Sequence, residues 1–147
     1  MNERSLRNRH VVTAFLRHQG KILLLQRSER VRTYPGSWAA VSGSLEESTP
    51  LAQALREIRE ETSLGEADLC LVATAPCLEV ADTELATRWL IHPFLFEVID
   101  SPGIRLDWEH EKSRWVEAAE LARYRTVPAL TQALAACLQT ESGSKVD

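Results

Sequence analysis

The sequence predicts an α/β fold in which a sheet packs between helices. Three observations carry that prediction. Short runs rich in β-branched and aromatic residues recur in both halves of the 147-residue chain. A single amphipathic helix interrupts them near the middle, and a second amphipathic helix closes the chain.

The elements follow in order. Residues 1–8 are polar and basic and read as a loose arm. His10 to Arg17 reads as a strand, His18-Gln19-Gly20-Lys21 as a turn, and Ile22 to Gln26 as the hairpin partner. Residues 27–37 form a polar loop ending in Pro35-Gly36, and Trp38 to Val41 is a short apolar strand that delivers the chain to Gly43. A helix is expected from Pro50 to Ser63, with Ser48 or Thr49 as its cap and Pro50 in its first turn. Residues 68–80 and 86–99 are β-rich, with a turn at Ala81-Asp82-Thr83. After a loop at Pro102-Gly103 come a short strand at Arg114-Trp115-Val116 and a short helix from Glu117 to Tyr124. The last helix starts at Pro128 and carries Leu130, Leu134 and Leu138 at i,i+4 spacing, and residues 141–147 read as a flexible tail.

Composition bounds the function. The length suits one domain spanning 1–147, and 44% hydrophobic with 26% charged residues is ordinary for a globular chain. A formal net charge of −4 gives no footprint for a nucleic-acid polymer. Cys70, Cys77 and Cys137 lie at irregular spacing, with neither a disulfide framework nor a zinc pattern, and read as reduced apolar residues. With no signal peptide and no membrane-length apolar run, a cytoplasmic protein without a membrane partner is expected.

Arg56-Glu57-Ile58-Arg59-Glu60-Glu61 is the most informative stretch. With Leu51 at zero on a helical wheel, Leu55, Ile58 and Thr62 fall within about 40° and form the expected inward stripe. Glu57, Glu60 and Glu61 fall at about 240°, 180° and 280°, on the other side, at spacings that bring carboxyl groups toward one ion. Like charges there destabilise a bare helix, and a hard divalent cation removes that cost. Taken alone, such a cluster is more often a solvated face. The preceding Val41-Ser42-Gly43-Ser44-Leu45-Glu46-Glu47, a strand end running into a glycine loop, changes that balance.

A glycine loop leading into an acidic helix resembles the Nudix box, G-x5-E-x7-R-E-U-x-E-E-x-G-U with U a bulky aliphatic residue. The resemblance runs from Gly43 to Leu64, and the surrounding strands extend it to about residues 8–138. Two departures stand out. Ser63 replaces the glycine, and the segment from Gly43 to Arg56 is one residue short, which leaves Ser48 where the first glutamate belongs. Glu46 and Glu47 lie close by. Gly65 offers a slightly later turn, since glycine takes a left-handed C-cap more easily than serine.

The resemblance implies a Nudix-like α/β/α sandwich with a mixed central sheet. It also implies a metal-dependent pyrophosphohydrolase that cleaves a nucleoside diphosphate linked to another moiety, by water attack at phosphorus. Glu57, Glu60 and Glu61 become the expected ligands of Mg²⁺, or of Mn²⁺, and Arg56 the residue that holds a box carboxylate. Gly43 would allow close approach at the site. The general base is sought in Glu46 or Glu47 and in the later acidic segment, where Glu109 is favoured over Glu111 and His110 is a proton-shuttle candidate set against a packing role. Arg27, ahead of Arg30 and Arg32, could hold a phosphate. Trp108 is the expected stacking residue, with Tyr34 as a weaker one and Trp38, Trp89 and Trp115 as core or wall. The catalytic set expected is thus Arg56, Glu57, Glu60, Glu61 and Glu109, and the substrate contacts Gly43, Arg27 and Trp108. The expected partners are a small-molecule diphosphate, in the first place a nucleotide, and as an option a second copy of the chain in a homodimer.

Two other readings compete. A non-catalytic Nudix domain binding a nucleotide or a protein would explain the missing box residues. The intact Arg56-Glu57…Glu60-Glu61 set argues against it. Isomerase-like chemistry on a diphosphate would call for a cysteine near the cleft, and none of the three is well placed.

Overall fold

The structure is a computed structural model and describes residues 5–100, 103–105 and 107–144. The chain runs β1 (Arg7–His18), β2 (Lys21–Arg27), β3 (Trp38–Ala39), β4 (Val41–Ser44), α1 (Pro50–Thr62), β5 (Leu69–Thr74), β6 (Leu78–Asp82), β7 (Thr87–Val98), β8 (His110–Val116) and α2 (Leu130–Ser144). Short 3-10 turns at Glu66–Asp68 and Ala118–Arg123 complete it.

The sheet is mixed. β1 and β7 lie parallel at its centre, from Arg7↔Thr87 to Arg17↔Glu97. The other strand ladders among the described residues are antiparallel, and an isolated bridge between Trp38 and Thr126 is parallel. The other edge of β1 is shared: β2 takes Arg17 and His18 next to the hairpin, and β4 takes Val11 to Ala14. That sharing carries the chain from β4 directly into the loop before α1.

Strand alternation then builds two cores. Val12, Ala14, Leu23 and Leu25 pack with Ala54 and Ile58 of α1 on one face. Phe15, Ile22 and Leu24 pack with Leu130, Leu134 and Cys137 of α2 on the other. The expected α/β/α sandwich with a mixed central sheet is the observed one.

Several boundaries differ from expectation. β1 starts at Arg7, inside the arm read as loose, because its first residues extend the ladder with β7. α2 runs to Ser144, past the start of the expected tail, and Glu141 is tied to Arg17 at 2.7 Å. Residues 1–4 and 145–147 of those two ends, and Pro102 of the expected loop, lie outside the described residues. The run at 68–80 is two strands broken at Ala75-Pro76-Cys77, and β8 begins four residues early because it pairs along β2.

Helix α1 is capped by Thr49, whose hydroxyl accepts the Ala52 N–H at 3.1 Å, with Pro50 at its start. Its inward face is not the expected one. Gln53, Ala54, Glu57, Ile58, Glu61 and Thr62 are buried, whereas Leu51 is 37% exposed. The true face is centred roughly 70° around the helix from the apolar stripe. At the other end Ser63 itself takes the left-handed conformation, φ 71°, with its N–H on the Arg59 carbonyl. Gly65 is extended, so the turn is not deferred to it.

Candidate active site

The rotated face of α1 turns Glu57 and Glu61 inward, toward β4. Gly43 is what makes room for them. A Cβ built there would fall 2.2 Å from the Glu57 carboxyl carbon, so only glycine lets that carboxylate approach the strand. Glu61 is 1% exposed, and its Oε1 lies 3.4 Å from the Ser42 N–H. Burial, and next the hydrogen bond and like charge of Glu57, hold Glu61 well above the usual carboxylate range. Glu57 is also raised, first by burial, and its shared hydrogen bond with Glu61 favours its charged form. Burial and mutual repulsion therefore oppose both carboxyls being charged at once.

Glu60 is not drawn into this pair. It is half exposed, and its Oε1 accepts from Arg56 Nε at 3.0 Å. Arg56 also reaches Glu47 at 3.1 Å and Glu46 at 3.4 Å, so it bridges three carboxylates rather than clasping one in two places. Among the described residues no three acidic, histidine or cysteine side chains form a ready-made ion cage. The expected trio is on one helix, but only Glu57 and Glu61 touch.

Three of these carboxylates border a cleft of about 450 Å³, and Glu47 and Glu61 lie outside its lining. Glu46, Glu57, Glu60 and Arg56 line its acidic side, together with Gly43. Arg27 and Glu109 enter from β2 and the segment before β8, and Arg9 from β1. Arg27 is half-buried and donates to the Thr33 carbonyl at 2.9 Å and hydroxyl at 3.1 Å. Burial lowers its pKa, and the negative charges of Glu109 and Glu61 oppose that. Glu109 is anchored through its carbonyl, which accepts the Ser28 N–H at 2.7 Å. Glu111, the other acidic candidate, is exposed and outside the cleft lining.

The cleft's aromatic wall comes from Tyr34, the weaker stacking candidate, and Trp89, read as core or wall, and not from the favoured Trp108. Trp108 is 62% exposed and does not line the cleft. Trp89 and Tyr34 do, with ring centroids 6.3 Å apart. The Trp89 Nε1–H donates to the Tyr34 hydroxyl at 2.9 Å, which donates to Asp82 at 2.6 Å. Trp108 lies in a loop and is for that reason the expected stacking residue, whereas the sequence leaves Trp89 open between core and wall. Its alternate partner on the same face, Ile91, shares the cleft, and only the parallel pairing with β1 reveals that face as a wall. Arg30 and Arg32 stay outside the lining. None of the three cysteines lines the cleft; all three are free, Cys70 and Cys77 exposed and Cys137 buried.

Two residues escaped sequence reasoning as parts of the site. Gln53 is fully buried beside Glu57, and Arg9 is exposed at the cleft. Gln53 shares the helix face of Glu57 at i−4, which is a spacing signal, but its type carries no chemistry of its own.

The family model for the NUDIX domain matches residues 6–137 of the chain. The chain belongs to the Nudix family. As a Nudix hydrolase it is an enzyme of phosphoanhydride cleavage. Solved structures agree on the fold. A MutT protein from Methanosarcina mazei Go1 is 24% identical, with 95% of this chain and 97% of that one covered and a TM-score of 0.74. The dihydroneopterin triphosphate pyrophosphohydrolase of E. coli is 25% identical over 85% and 91% of the two chains, TM-score 0.71. A bifunctional NMN adenylyltransferase/ADP ribose pyrophosphatase from Francisella tularensis, complexed with AMP and a Mn ion, is 23% identical over 91% of this chain and 42% of that one, TM-score 0.75. No curated protein matches the chain. No helix among the described residues is long and apolar enough to cross a membrane.

Proposed function

We propose that this Nudix hydrolase is a divalent-metal-dependent pyrophosphohydrolase that cleaves a nucleoside diphosphate linked to another moiety. One observation carries the reading: two adjacent carboxyls, Glu57 and Glu61, are buried together, and Glu57 lines a cleft that Arg9 and Arg27 also line. Two like charges held so close call for a counter-charge, and the approach that Gly43 permits suits a cation between carboxylate oxygens. Glu57, Glu61 and Glu60 would hold Mg²⁺, with Mn²⁺ as the alternative. The cation, when bound, neutralises diphosphate charge and lowers the pKa of a water.

The chain's own residues do the rest. Arg27 and Arg9 face the remaining phosphate charge. Glu109 accepts the proton of the attacking water, since it shares the cleft with Glu57, Glu60 and Arg27. Trp89 and Tyr34 offer ring faces for a base, while their polar atoms already satisfy each other. The pyrophosphohydrolase and ADP ribose pyrophosphatase among the similar structures, one holding AMP and Mn, support this substrate class. A cytoplasmic setting belongs to the reading and suits three free cysteines.

The test is a hydrolysis screen across nucleotide sugars, dinucleoside polyphosphates, ADP-ribose and nucleoside triphosphates, with Mg²⁺ and Mn²⁺. Turnover in ¹⁸O-water should label a phosphate product. Label confined to a non-phosphate product, or no turnover on any diphosphate with either metal, would overturn it.

A further inference from the structure

The loop before α1 lacks the glutamate expected at position 48, yet it is not left unanchored. Gln53 is completely buried, and its Oε1 accepts two backbone N–H groups, those of Glu46 at 2.7 Å and Glu47 at 2.8 Å. Its Nε2 donates to Glu57 Oε2 at 2.7 Å. The two amide donors can face only an oxygen, so the orientation of the carboxamide is fixed and its nitrogen must point at the carboxylate. One oxygen of Glu57 is thereby occupied, and the other stays on the side of Gly43.

We propose that Gln53 is a positioning residue: a single side chain that ties the shortened loop to Glu57 and sets which oxygen of that carboxylate meets the metal. The inference rests on Glu57 being a metal ligand. An outer partner of a ligand acts in this way by fixing orientation, and its loss commonly costs about 10- to 100-fold in metal affinity or activity. A bare loop anchor would affect the loop and leave Glu57 free to find the same pose.

Two variants separate these roles. Gln53→Glu keeps an oxygen for the two loop amides and, when ionised, replaces the donor to Glu57 with a repelling carboxylate oxygen. Gln53→Leu removes both contacts at similar volume, and is combined with Glu57→Gln in a double-mutant cycle. Mn²⁺ affinity is read by electron paramagnetic resonance, and loop order by hydrogen exchange at the Glu46 and Glu47 amides. For Gln53→Glu, exchange protection should match the parent while kcat falls about 10- to 100-fold. Gln53→Leu should weaken Mn²⁺ binding by a similar factor in the parent, and by no more than about twofold in the Glu57→Gln background.

Parent-like kcat in Gln53→Glu would overturn the proposal, as would equal Mn²⁺ losses from Gln53→Leu in both backgrounds. Either result leaves the metal reading standing. If the parent itself binds no Mn²⁺, the metal reading falls and takes this inference with it. Should Gln53→Leu not fold, Gln53→Glu alone decides.

Discussion

His110 Nε2 lies 3.6 Å from Glu61 Oε1 and makes no hydrogen bond, although the residue is buried and its other ring nitrogen meets Asp107 at 3.0 Å. The innermost carboxyl of the site therefore faces a histidine on one side and Glu57 on the other.

Protons and metal should compete for that carboxyl. Glu61 and Glu57 are both raised in the folded chain, so the folded state binds more protons than the unfolded one above an unfolded value of about 4.5. The stability they contribute is full below that value and is lost as pH rises toward their folded values. The metal-free protein should thus lose stability as pH rises from about 4.5 through the range where Glu57 and then Glu61 ionise, and Mn²⁺ should raise Tm more at pH 8 than at pH 5. Calorimetry with and without metal checks this. An equal shift at both pH values would contradict it.

Gly43→Ala should disable the site without unfolding the protein. The new methyl group would meet the Glu57 carboxyl carbon at 2.2 Å, so the carboxylate must turn away. Mn²⁺ affinity is expected to fall by on the order of 10- to 100-fold. Parent-like affinity in titrations of the folded variant would count against the cradle.

For the general base, Glu109→Gln should lower kcat by about 10²-fold or more. Glu111→Gln should remain near the parent, because Glu111 is exposed and outside the cleft lining. Steady-state kinetics on both variants decides. Near-parent activity for Glu109→Gln would return the search to Glu46, which shares the cleft.

At the aromatic wall, Trp89→Ala should raise KM by about 5- to 150-fold, the equivalent of roughly 1–3 kcal/mol of stacking. Trp108→Ala should leave KM unchanged. The reverse pattern would restore the loop tryptophan as the base contact.

Ser63→Gly should stabilise the chain. Ser63 is held at φ 71°, where a side chain is strained and glycine is not. Part of the relief is offset by the freer unfolded chain, leaving a gain of about 0.5–1 kcal/mol. For this length that is about 1–3 °C in Tm, measurable by thermal melts.

The contrast between sequence and structure is sharpest on α1. The helix, its cap and the acidic cluster were legible because local chemistry sets them. Which side faces inward was not, because the reading takes apolar residues as the buried ones, and here Gln53, Glu57 and Glu61 are buried while Leu51 is exposed. Polar burial of this kind depends on partners across the chain: Gly43, the amides of Glu46 and Glu47, and His110. The same holds for Trp89, whose exposure to the cleft follows from a strand pairing about 80 positions away in sequence. The mixed sandwich itself came from the resemblance, since periodicity is blind to strand direction.

The parallel ladder of β1 with β7 has a consequence for how the chain comes to exist. Arg7 meets Thr87 and Arg17 meets Glu97, so the central pairing cannot form until most of the chain has been made. At cellular synthesis rates, 80 residues take roughly 4–16 s. Throughout that interval Val12, Phe15 and Leu16 of β1, fully or almost fully buried in the finished protein, have no partner strand on that edge. The nascent protein thus spends seconds with a sticky strand waiting on the ribosome, and its vulnerability to aggregation is greatest at birth.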